Sequence, residues 1–226
     1  MRWTPALLPD LAGRVAVITG GNSGIGRAAA TALAEHGARV VLACRNPGRA
    51  EATARRITSA LPGAQADAAE LDLSSMDSVR AFADAWSGPL DMLVNNAGVM
   101  APPRRARTAD GFELQFGTNH LGHFVLTGLL LPALAASGDA RVVTVASIAH
   151  HGAGEDVIDA NATPDYDPQH AYSNSKLANL LFADELQRQI VVRGVPMSSV
   201  AAHPGVAATG LASDRQGMGA RRVVRA

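Results

Sequence analysis

The sequence predicts an α/β fold in which one doubly wound parallel sheet is covered by helices on both faces. Two observations predict it. Short apolar runs alternate along the chain with longer stretches of helical character, and such alternation is typical of a parallel sheet with right-handed crossovers. The first two apolar runs are joined by a glycine-rich turn and a helix within about thirty residues, which is the length of one βαβ crossover.

The predicted elements follow one another without a change in composition that would mark a second domain. Six strands are expected, at residues 14–19, 39–44, within 64–71, 90–94, 141–146 and 196–202. A first helix is expected to follow the glycine turn and to end near residue 36. Four further helices are expected at residues 49–60, 76–86, 114–136 and 172–193. Residues 149–170 are polar and loop-like. Gly117, Gly122 and Gly128 in the fourth helix suggest close packing there.

Composition limits the classes of function. The 226 residues fit one domain with a substantial core, and twenty basic residues balance twenty acidic ones, so no global field favours nucleic acid. Cys44 is the single cysteine, which excludes an internal disulfide and a cysteine-rich metal site. The most apolar run, residues 121–136, is interrupted by His123 and Pro132 and is short for a membrane span. We therefore expect a cytoplasmic protein with no membrane span and no nucleic-acid partner.

A glycine-rich turn follows the first strand and opens the first helix. Free backbone N–H groups and the helix dipole at such a position favour a phosphate, and glycines let a pyrophosphate approach the backbone. The spacing Gly-x-x-x-Gly-x-Gly differs from the commoner Gly-x-Gly-x-x-Gly fingerprint, and a turn without a ligand is the alternative. We expect a dinucleotide pyrophosphate to contact Gly20, Asn22, Ser23, Gly24, Ile25 and Gly26.

The residues that follow the second and third strands bear on the choice of dinucleotide. The second strand ends in Cys44 and Arg45, without the carboxylate that receives the adenosine ribose of NAD. A guanidinium suits a 2′-phosphate, so NADP is favoured over NAD, although Arg45 could equally be a solvated loop residue. Asp72 after the third strand is placed to reach the adenine, and it is assigned to the cofactor site together with Leu73.

Tyr172 and Lys176 lie one helical turn apart, so a phenol and an ammonium emerge on the same helix face. A neighbouring cation lowers the pKa of a phenol, which makes it a proton donor and acceptor near neutral pH. Taken alone, such a pair is more often part of a solvated helix surface. Ser147 after the fifth strand and Asn119 within a helix are ambiguous on their own, and the histidines show no metal-ligand pattern.

Five features occur in a fixed order, and in this combination the chain resembles the short-chain dehydrogenase/reductase family from about residue 10 to residue 209. They are the Thr19-Gly20-x-x-x-Gly24-x-Gly26 turn, Asn95-Asn96-Ala97-Gly98, Ser147, Tyr172-x-x-x-Lys176 and Pro204-Gly205. The sequences of residues 42–45, 118–124 and 175–179 are similar to those of the retinol-dehydrogenase-like branch and its bacterial relatives. The gap of twenty-five positions between Ser147 and Tyr172 is longer than in the family's shorter members, and we expect this insertion to line the substrate pocket.

The resemblance implies a single Rossmann-type domain at residues 1–210. The chain departs from the family at residues 211–226, where an irregular tail is expected in place of the usual seventh strand. The resemblance also implies that Tyr172 is the general acid in reduction and the base in oxidation. Lys176 would lower its pKa and bind the nicotinamide ribose, and Ser147 would stabilise charge on the substrate oxygen. Asn119 would hold a water that links Lys176 to solvent. The cofactor site would also include Asn96, Ala97, Gly98, Tyr172, Lys176, Pro204, Gly205 and Thr209.

The sequence thus predicts an NADP(H)-dependent oxidoreductase that transfers a hydride between nicotinamide and an alcohol or carbonyl substrate. The short C-terminal part is expected to leave the substrate side open and activity impaired. One alternative is a dinucleotide-binding sensor or scaffold without catalysis; a sugar-nucleotide epimerase shares Tyr-x-x-x-Lys but has a different glycine spacing. Because the family often pairs its two long helices, a homodimer through residues 114–136 and 172–193 is a further expectation.

Overall fold

A computed structural model describes residues 4–159 and 166–205 of the chain. Six parallel strands form one sheet in the order β3-β2-β1-β4-β5-β6, which confirms the predicted doubly wound α/β fold. The strands are β1 Val15–Thr19, β2 Arg39–Cys44, β3 Gln65–Glu70, β4 Met92–Asn95, β5 Ala140–Val145 and β6 Met197–Ala202. The predicted tail at 211–226, the domain boundary at residue 210 and Thr209 lie outside the described residues.

Helices lie on both faces of this sheet. They are α1 Gly24–Glu35, α2 Pro47–Ala60, α3 Met76–Asp84, α4 Leu114–Phe116, α5 Gly122–Ser137 and α6 Pro168–Arg193. A π-helical turn, Gly117–Leu121, joins α4 to α5, and short 3₁₀ turns cover Pro5–Leu7, Ile148–Gly152 and Glu155–Asp159. The sequence predicted the long helical segment without its π turn, because a local change in backbone hydrogen bonding leaves no trace in the apolar pattern.

The sheet has a core on each face, because successive strand residues point to opposite sides. Ile18 and Leu42 pack with the alanines of α1 and α2 on one face. Val17 and Leu93 pack with α3, α5 and α6 on the other face. The strands are therefore covered from both sides, and their carboxyl ends are left as an open edge.

Several element boundaries differ from the predictions by a few residues, and two of the differences have a clear structural cause. Helix α6 begins at Pro168, before the predicted start at residue 172, because the Asp167 side chain accepts a hydrogen bond from the His170 N–H at 2.6 Å and proline suits the first helical position. The segment predicted as loop at residues 149–170 is therefore partly helical. β4 begins at Met92 rather than at residue 90, because the Leu90 N–H bonds to a carbonyl of α5 instead of a neighbouring strand.

The glycines of the segment from α4 to α5 do not all have the predicted role. A Cβ atom at Gly117 would collide with the Thr108 side chain, and one at Gly122 would lie 2.5 Å from the Leu73 carbonyl oxygen. Gly128 has no atom within 4 Å of its Cβ position, so the prediction of close packing is wrong there. The contact at Gly122 presses α5 against the residues that follow β3.

The segment Leu114–Ser137 is long and apolar enough to cross a membrane by length and composition alone. The sequence predicted no span, because it counted only the shorter apolar run at 121–136. In the fold, Gln115, Asn119 and His123 of this segment are buried against neighbouring elements. The core helix of a sheet protein passes the same length and composition test.

Candidate active site

Three loops that the sequence singled out meet at the carboxyl edge of the sheet. All strand pairs are parallel, so the residues that follow β1, β4 and β5 emerge on the same side. Gly20 follows β1, Asn96 follows β4, and Ser147 lies two residues beyond β5. The strand order reverses between β1 and β4, and ligands of open α/β sheets bind at such a reversal.

The glycine turn is folded against the segment that follows β4. Gly20 has a φ of +65°, a left-handed conformation that glycine adopts without strain. A Cβ atom at Gly26 would lie 2.5 Å from Asn96 Nδ2 and 2.6 Å from the Gly20 carbonyl oxygen. Ser23 precedes α1 without capping it through its side chain, so within the described chain the first N–H groups of α1 are available to an anion. The remaining predicted members of the turn are partly buried in it, namely Asn22, Gly24 and Ile25.

Thr19, the last residue of β1, fixes the segment after β4. Its Oγ1 atom accepts hydrogen bonds from the backbone N–H groups of Asn96 and Ala97, each at 2.9 Å. The Asn96 side chain donates back to the Thr19 carbonyl oxygen at 2.8 Å. These bonds hold the two halves of the predicted cofactor site together.

Asn119 lies in the π-helical turn and is completely buried. Its side-chain nitrogen donates to the Val99 carbonyl and to Ser175 Oγ, both at 3.0 Å, and its side-chain oxygen accepts the Val99 N–H at 2.8 Å. Because these contacts occupy the side-chain amide with protein groups, a water held by Asn119 would have to use its backbone carbonyl. That carbonyl also accepts a hydrogen bond from His123 Nδ1 at 2.8 Å.

Ser147, Tyr172 and Lys176 converge at the end of β5. The Ser147 side chain lies close enough to the Tyr172 hydroxyl to lower the pKa of that phenol. The Lys176 ammonium donates to the Val145 carbonyl at 2.9 Å and lies 5.7 Å from the centre of the Tyr172 ring. A Cβ atom at Gly98 would lie 3.9 Å from Lys176 Nζ, so the segment after β4 borders Lys176.

Burial shifts the pKa values of Tyr172 and Lys176. It raises the pKa of Tyr172 above the ordinary value for a phenol, and the nearby Ser147 side chain opposes this rise. Burial also lowers the pKa of Lys176 to about 8. The protein alone therefore does not give the expected low pKa for Tyr172, because removing a phenolate from water outweighs the neighbouring groups.

The other predicted cofactor residues lie along the same edge. Arg45 is exposed directly after β2, next to Asn46, whose side chain caps α2. Asp72 Oδ1 accepts hydrogen bonds from the N–H and hydroxyl of Ser74 at 2.9 and 2.6 Å, so it shapes its own turn. Leu73 is buried, and exposed positions beyond β6 are occupied by Pro204 and Gly205.

A cavity of about 300 Å³ opens beside Ser147. Ile148, His150 and His151 from the segment between β5 and α6 form one part of its wall, and Leu180 and His203 form another. The predicted insertion therefore contributes to a cavity next to the reactive hydroxyl. Within residues 4–159 and 166–205, no cluster of three or more histidine, cysteine or acidic side chains has the geometry of a metal site.

Sequence reasoning missed the buried polar residues behind the site. His123 contacts Thr19 from α5, and Gln115 contacts the loop after β4 from α4. The sequence offered one weak signal, since both residues lie one helical turn from Asn119. Their partners are far away in the chain and could not be assigned before the fold was known.

The comparison with family models decides the classification. The model of the short chain dehydrogenase family matches residues 14–218. The chain belongs to the short-chain dehydrogenase family. The resemblance read from the motifs is thereby confirmed, and the relatives named next confirm its retinol-dehydrogenase-like branch. Polyprenol dehydrogenase of Mus musculus is 47% identical over 214 residues, covering 92% of this chain and 64% of that protein. Retinol dehydrogenase 12 of Homo sapiens is 46% identical over 200 residues, covering 87% and 62%.

This short-chain dehydrogenase chain thus spans less than two thirds of the length of these curated relatives. Among solved structures, an uncharacterized protein from Mycobacterium paratuberculosis has a TM-score of 0.83 and 50% identity, covering 98% of this chain and 79% of that one. The Pseudomonas aeruginosa RhlG/NADP complex has a TM-score of 0.66 and 30% identity, covering 85% and 71%. A Burkholderia phymatum family member in complex with NAD has a TM-score of 0.73 and 27% identity, covering 95% and 74%.

Proposed function

We propose that this protein is an NADP(H)-dependent oxidoreductase that interconverts an alcohol and its carbonyl compound. The observation that carries the proposal is the convergence of Tyr172, Ser147 and Lys176 at the edge of the sheet that also holds the glycine turn. A proton donor, a hydrogen-bonding hydroxyl and a cation lie together beside a site suited to a dinucleotide. The names of the relatives, dehydrogenases of retinol and polyprenol, support an apolar alcohol or aldehyde as substrate.

The glycine turn fits a dinucleotide on the evidence of its own packing. A Cβ atom at Gly20 would lie 3.1 Å from the Ala97 Cα atom, so a side chain at this position would have to displace Ala97. The N-terminal N–H groups of α1 and the helix dipole favour the pyrophosphate. When bound, the nicotinamide cofactor supplies or accepts the hydride.

The protein residues transfer the proton and stabilise the charge on the substrate oxygen. Tyr172 donates its phenolic proton to the carbonyl oxygen in reduction and takes it back in oxidation. The Ser147 hydroxyl donates a second hydrogen bond to the same oxygen and stabilises the charge that develops there. Lys176 faces the Tyr172 ring and provides the positive charge that favours the phenolate during transfer. Asn119 holds the loop at Val99 against α6.

The preference for NADP over NAD rests on Arg45. Some solved relatives contain NADP and another contains NAD, so family membership alone leaves the choice open. The exposed guanidinium of Arg45 at the end of β2 suits a 2′-phosphate. Fluorescence titration with NADPH and NADH tests this. We expect Arg45→Asp to weaken NADPH at least tenfold and spare NADH, while Arg55→Asp, further along α2, leaves both unchanged. Equal affinities of the unchanged protein for the two cofactors would refute the preference.

Turnover is tested with a panel of apolar aldehydes and ketones, including retinal, in the presence of NADPH. We expect oxidation of NADPH that depends on the aldehyde, and greater efficiency with longer apolar substrates because the cavity beside Ser147 has an apolar wall. NADPH binding without turnover on any member of the panel would contradict the enzyme and favour a dinucleotide-binding sensor or scaffold.

An exposed apolar surface on α5 and α6 supports a homodimer. Phe124 and Leu181 are 52% and 54% exposed, and the rings of Phe124 and Phe182 meet edge to face with centres 5.5 Å apart. A second copy that placed its own α5 and α6 on this surface would remove these side chains from water. Light scattering should give twice the chain mass for the protein and a single mass for Phe124→Asp. A monomeric protein would refute the dimer.

A further inference from the structure

Gln115 is a fully buried amide in α4, and its three hydrogen bonds reach two different parts of the site. Its Oε1 atom accepts the Ala101 N–H at 2.7 Å. Its Nε2 atom donates to the Tyr166 hydroxyl at 3.0 Å and to the Pro168 carbonyl at 2.9 Å. Ala101 lies in the loop that follows β4, while Tyr166 and Pro168 lie just before and at the start of the helix that carries Tyr172.

Asn119 makes the same kind of bridge one turn further along. It bonds to Val99 in the loop on one side and to Ser175 in α6 on the other. Two buried amides therefore join the same two segments. Both accept a loop N–H through the side-chain oxygen and donate toward α6 through the nitrogen, and the Asn119 nitrogen also donates to the Val99 carbonyl. Asn119 belongs to the predicted catalytic group, whereas no role had been assigned to Gln115.

The loop residue held by Gln115 is in an unfavourable conformation. Ala101 has a φ of +44° and is the only described residue other than glycine with a positive φ. A left-handed backbone costs alanine conformational energy that glycine avoids. Ala101 is also buried, so its N–H would lack a partner if Gln115 were removed. The hydrogen bond from Ala101 to Gln115 therefore maintains a strained loop beside the site.

The partner on the helix side is a tyrosine that stays protonated. Burial, together with the charge of Glu113, raises the pKa of Tyr166 to about 12. Its hydroxyl accepts from Gln115 and lies 3.5 Å from Glu113 Oε1, to which it donates. Glu113 also caps α4 by accepting the Phe116 N–H at 2.8 Å. Tyr166 is thus a fixed link between α4 and the start of α6.

We propose that Gln115 is a positioning residue that sets the distance between the loop at 96–101 and the reactive side chains of α6. The proposal rests on the proposed oxidoreductase function. Gln115 fixes the start of α6 and the end of the loop, and Asn119 fixes both segments one turn later. Loss of Gln115 would let the loop leave its strained conformation and would change how Tyr172 and Lys176 meet the substrate and cofactor.

The test replaces Gln115 with methionine, which is unbranched, similar in size and unable to make these bonds. We expect Gln115→Met to lower kcat at least tenfold, to change the dissociation constant of NADPH less than threefold, and to shift the pH profile of kcat. Gln187→Leu is the matched control, because Gln187 is a partly buried glutamine in α6 that bonds to the Ser199 N–H at 2.7 Å, away from the site. The control is expected to lose stability while keeping kcat and its pH profile.

A merely structural role for Gln115 predicts that Gln115→Met behaves like Gln187→Leu, with lower stability and an unchanged pH profile, and that result would overturn the proposal. The double variant Gln115→Met with Ala101→Gly provides a second test. Glycine adopts the positive φ without support, so we expect it to recover part of the lost kcat. No recovery in the double variant would show that Gln115 does not act through the loop.

Hydrogen exchange of the Ala101 amide tests the role of Gln115 independently of the proposed oxidoreductase activity. If the protein shows no turnover on any carbonyl compound, the oxidoreductase proposal fails, and exchange of the Ala101 amide still reports on the loop. We expect this amide to be protected in the protein and to exchange at least tenfold faster in Gln115→Met. Unchanged protection would overturn the role of Gln115 whatever the activity.

Discussion

The imidazole of His123 lies 2.8 Å from the Thr19 hydroxyl, and both side chains are buried. His123 Nδ1 faces the Asn119 carbonyl at 2.8 Å and must donate to it, so Nε2 accepts the Thr19 hydroxyl proton. The same hydroxyl accepts the N–H groups of Asn96 and Ala97. A neutral histidine with a fixed tautomer therefore ties α5 to the cofactor edge of the sheet.

His123 makes folding stability sensitive to acid. Burial lowers its pKa to about 3, whereas the unfolded chain protonates it near the ordinary value of about 6.5. Between these values the unfolded state binds one more proton, so the free energy of unfolding falls as pH decreases, by up to about 1.4 kcal/mol per pH unit. Urea unfolding at pH 7.5 and pH 5.5 should show a smaller decrease for His123→Gln. An equal decrease in both proteins would contradict the assignment.

His170 is expected to stabilise the folded state more at low pH than at high pH, which is opposite to the effect of His123. Its Nε2 atom lies 2.9 Å from Asp156 Oδ1 and its Nδ1 atom lies 3.1 Å from the Gly152 carbonyl, and the bond to Asp156 raises the pKa of the ring. The stability from this pair is complete below the unfolded pKa and is lost as pH rises through the raised value. Melting temperatures of His170→Phe at pH 5.5 and pH 8.5 should be lowered mainly at pH 5.5. A larger loss at pH 8.5 would be inconsistent with a charged imidazole.

Gly26→Ala and Gly128→Ala should have opposite effects. The new Cβ atom at Gly26 would meet Asn96 and the Gly20 carbonyl oxygen, and such overpacking costs about 1–3 kcal/mol. Gly128 lies in α5 with open space around it, so alanine should stabilise the helix by about 0.5–1 kcal/mol. Chemical unfolding and NADPH titration of both variants test the prediction, with loss of affinity expected only for Gly26→Ala. A stable Gly26→Ala that binds NADPH normally would exclude the proposed cofactor turn.

Tyr172→Phe should remove turnover and keep cofactor binding. The ring and its packing remain, while the proton donor is lost, so kcat should fall by about 10²–10⁴-fold. The NADPH dissociation constant should change little and serves as the internal control for folding. Full activity of Tyr172→Phe would show that another group transfers the proton.

We expect Lys176→Met to be more stable than the unchanged protein and to lose activity. The Lys176 ammonium is buried, and burial lowers its pKa to about 8, so its charge destabilises the native state at pH 7. Methionine removes that charge, and we expect a higher melting temperature at pH 7 together with loss of turnover. The advantage should shrink between pH 8 and pH 10, because the native lysine releases its proton before the unfolded one. A less stable Lys176→Met at pH 7 would contradict this account.

The sequence predicted the sheet and the position of every motif at its carboxyl edge, because apolar periodicity and turn residues are local signals. It did not predict the hydrogen-bond networks of Gln115 and His123, since their partners come from other elements. The ionisation of Tyr172 was misjudged for a related reason: a helical spacing shows which side chains are neighbours, but burial depends on the complete fold. Gly128 shows the converse, because a glycine in a helix does not reveal whether anything lies beside it.

The bonds between Thr19 and the segment after β4 join residues 77 positions apart. Closing so long a stretch of chain is slow relative to forming a helix or the adjacent β1–β2 pair. During refolding, β2 can pair with β1 early, whereas the pocket for the dinucleotide is incomplete until β4 has arrived on the other side of β1. We therefore expect affinity for the nucleotide to appear only after β4 has paired with β1.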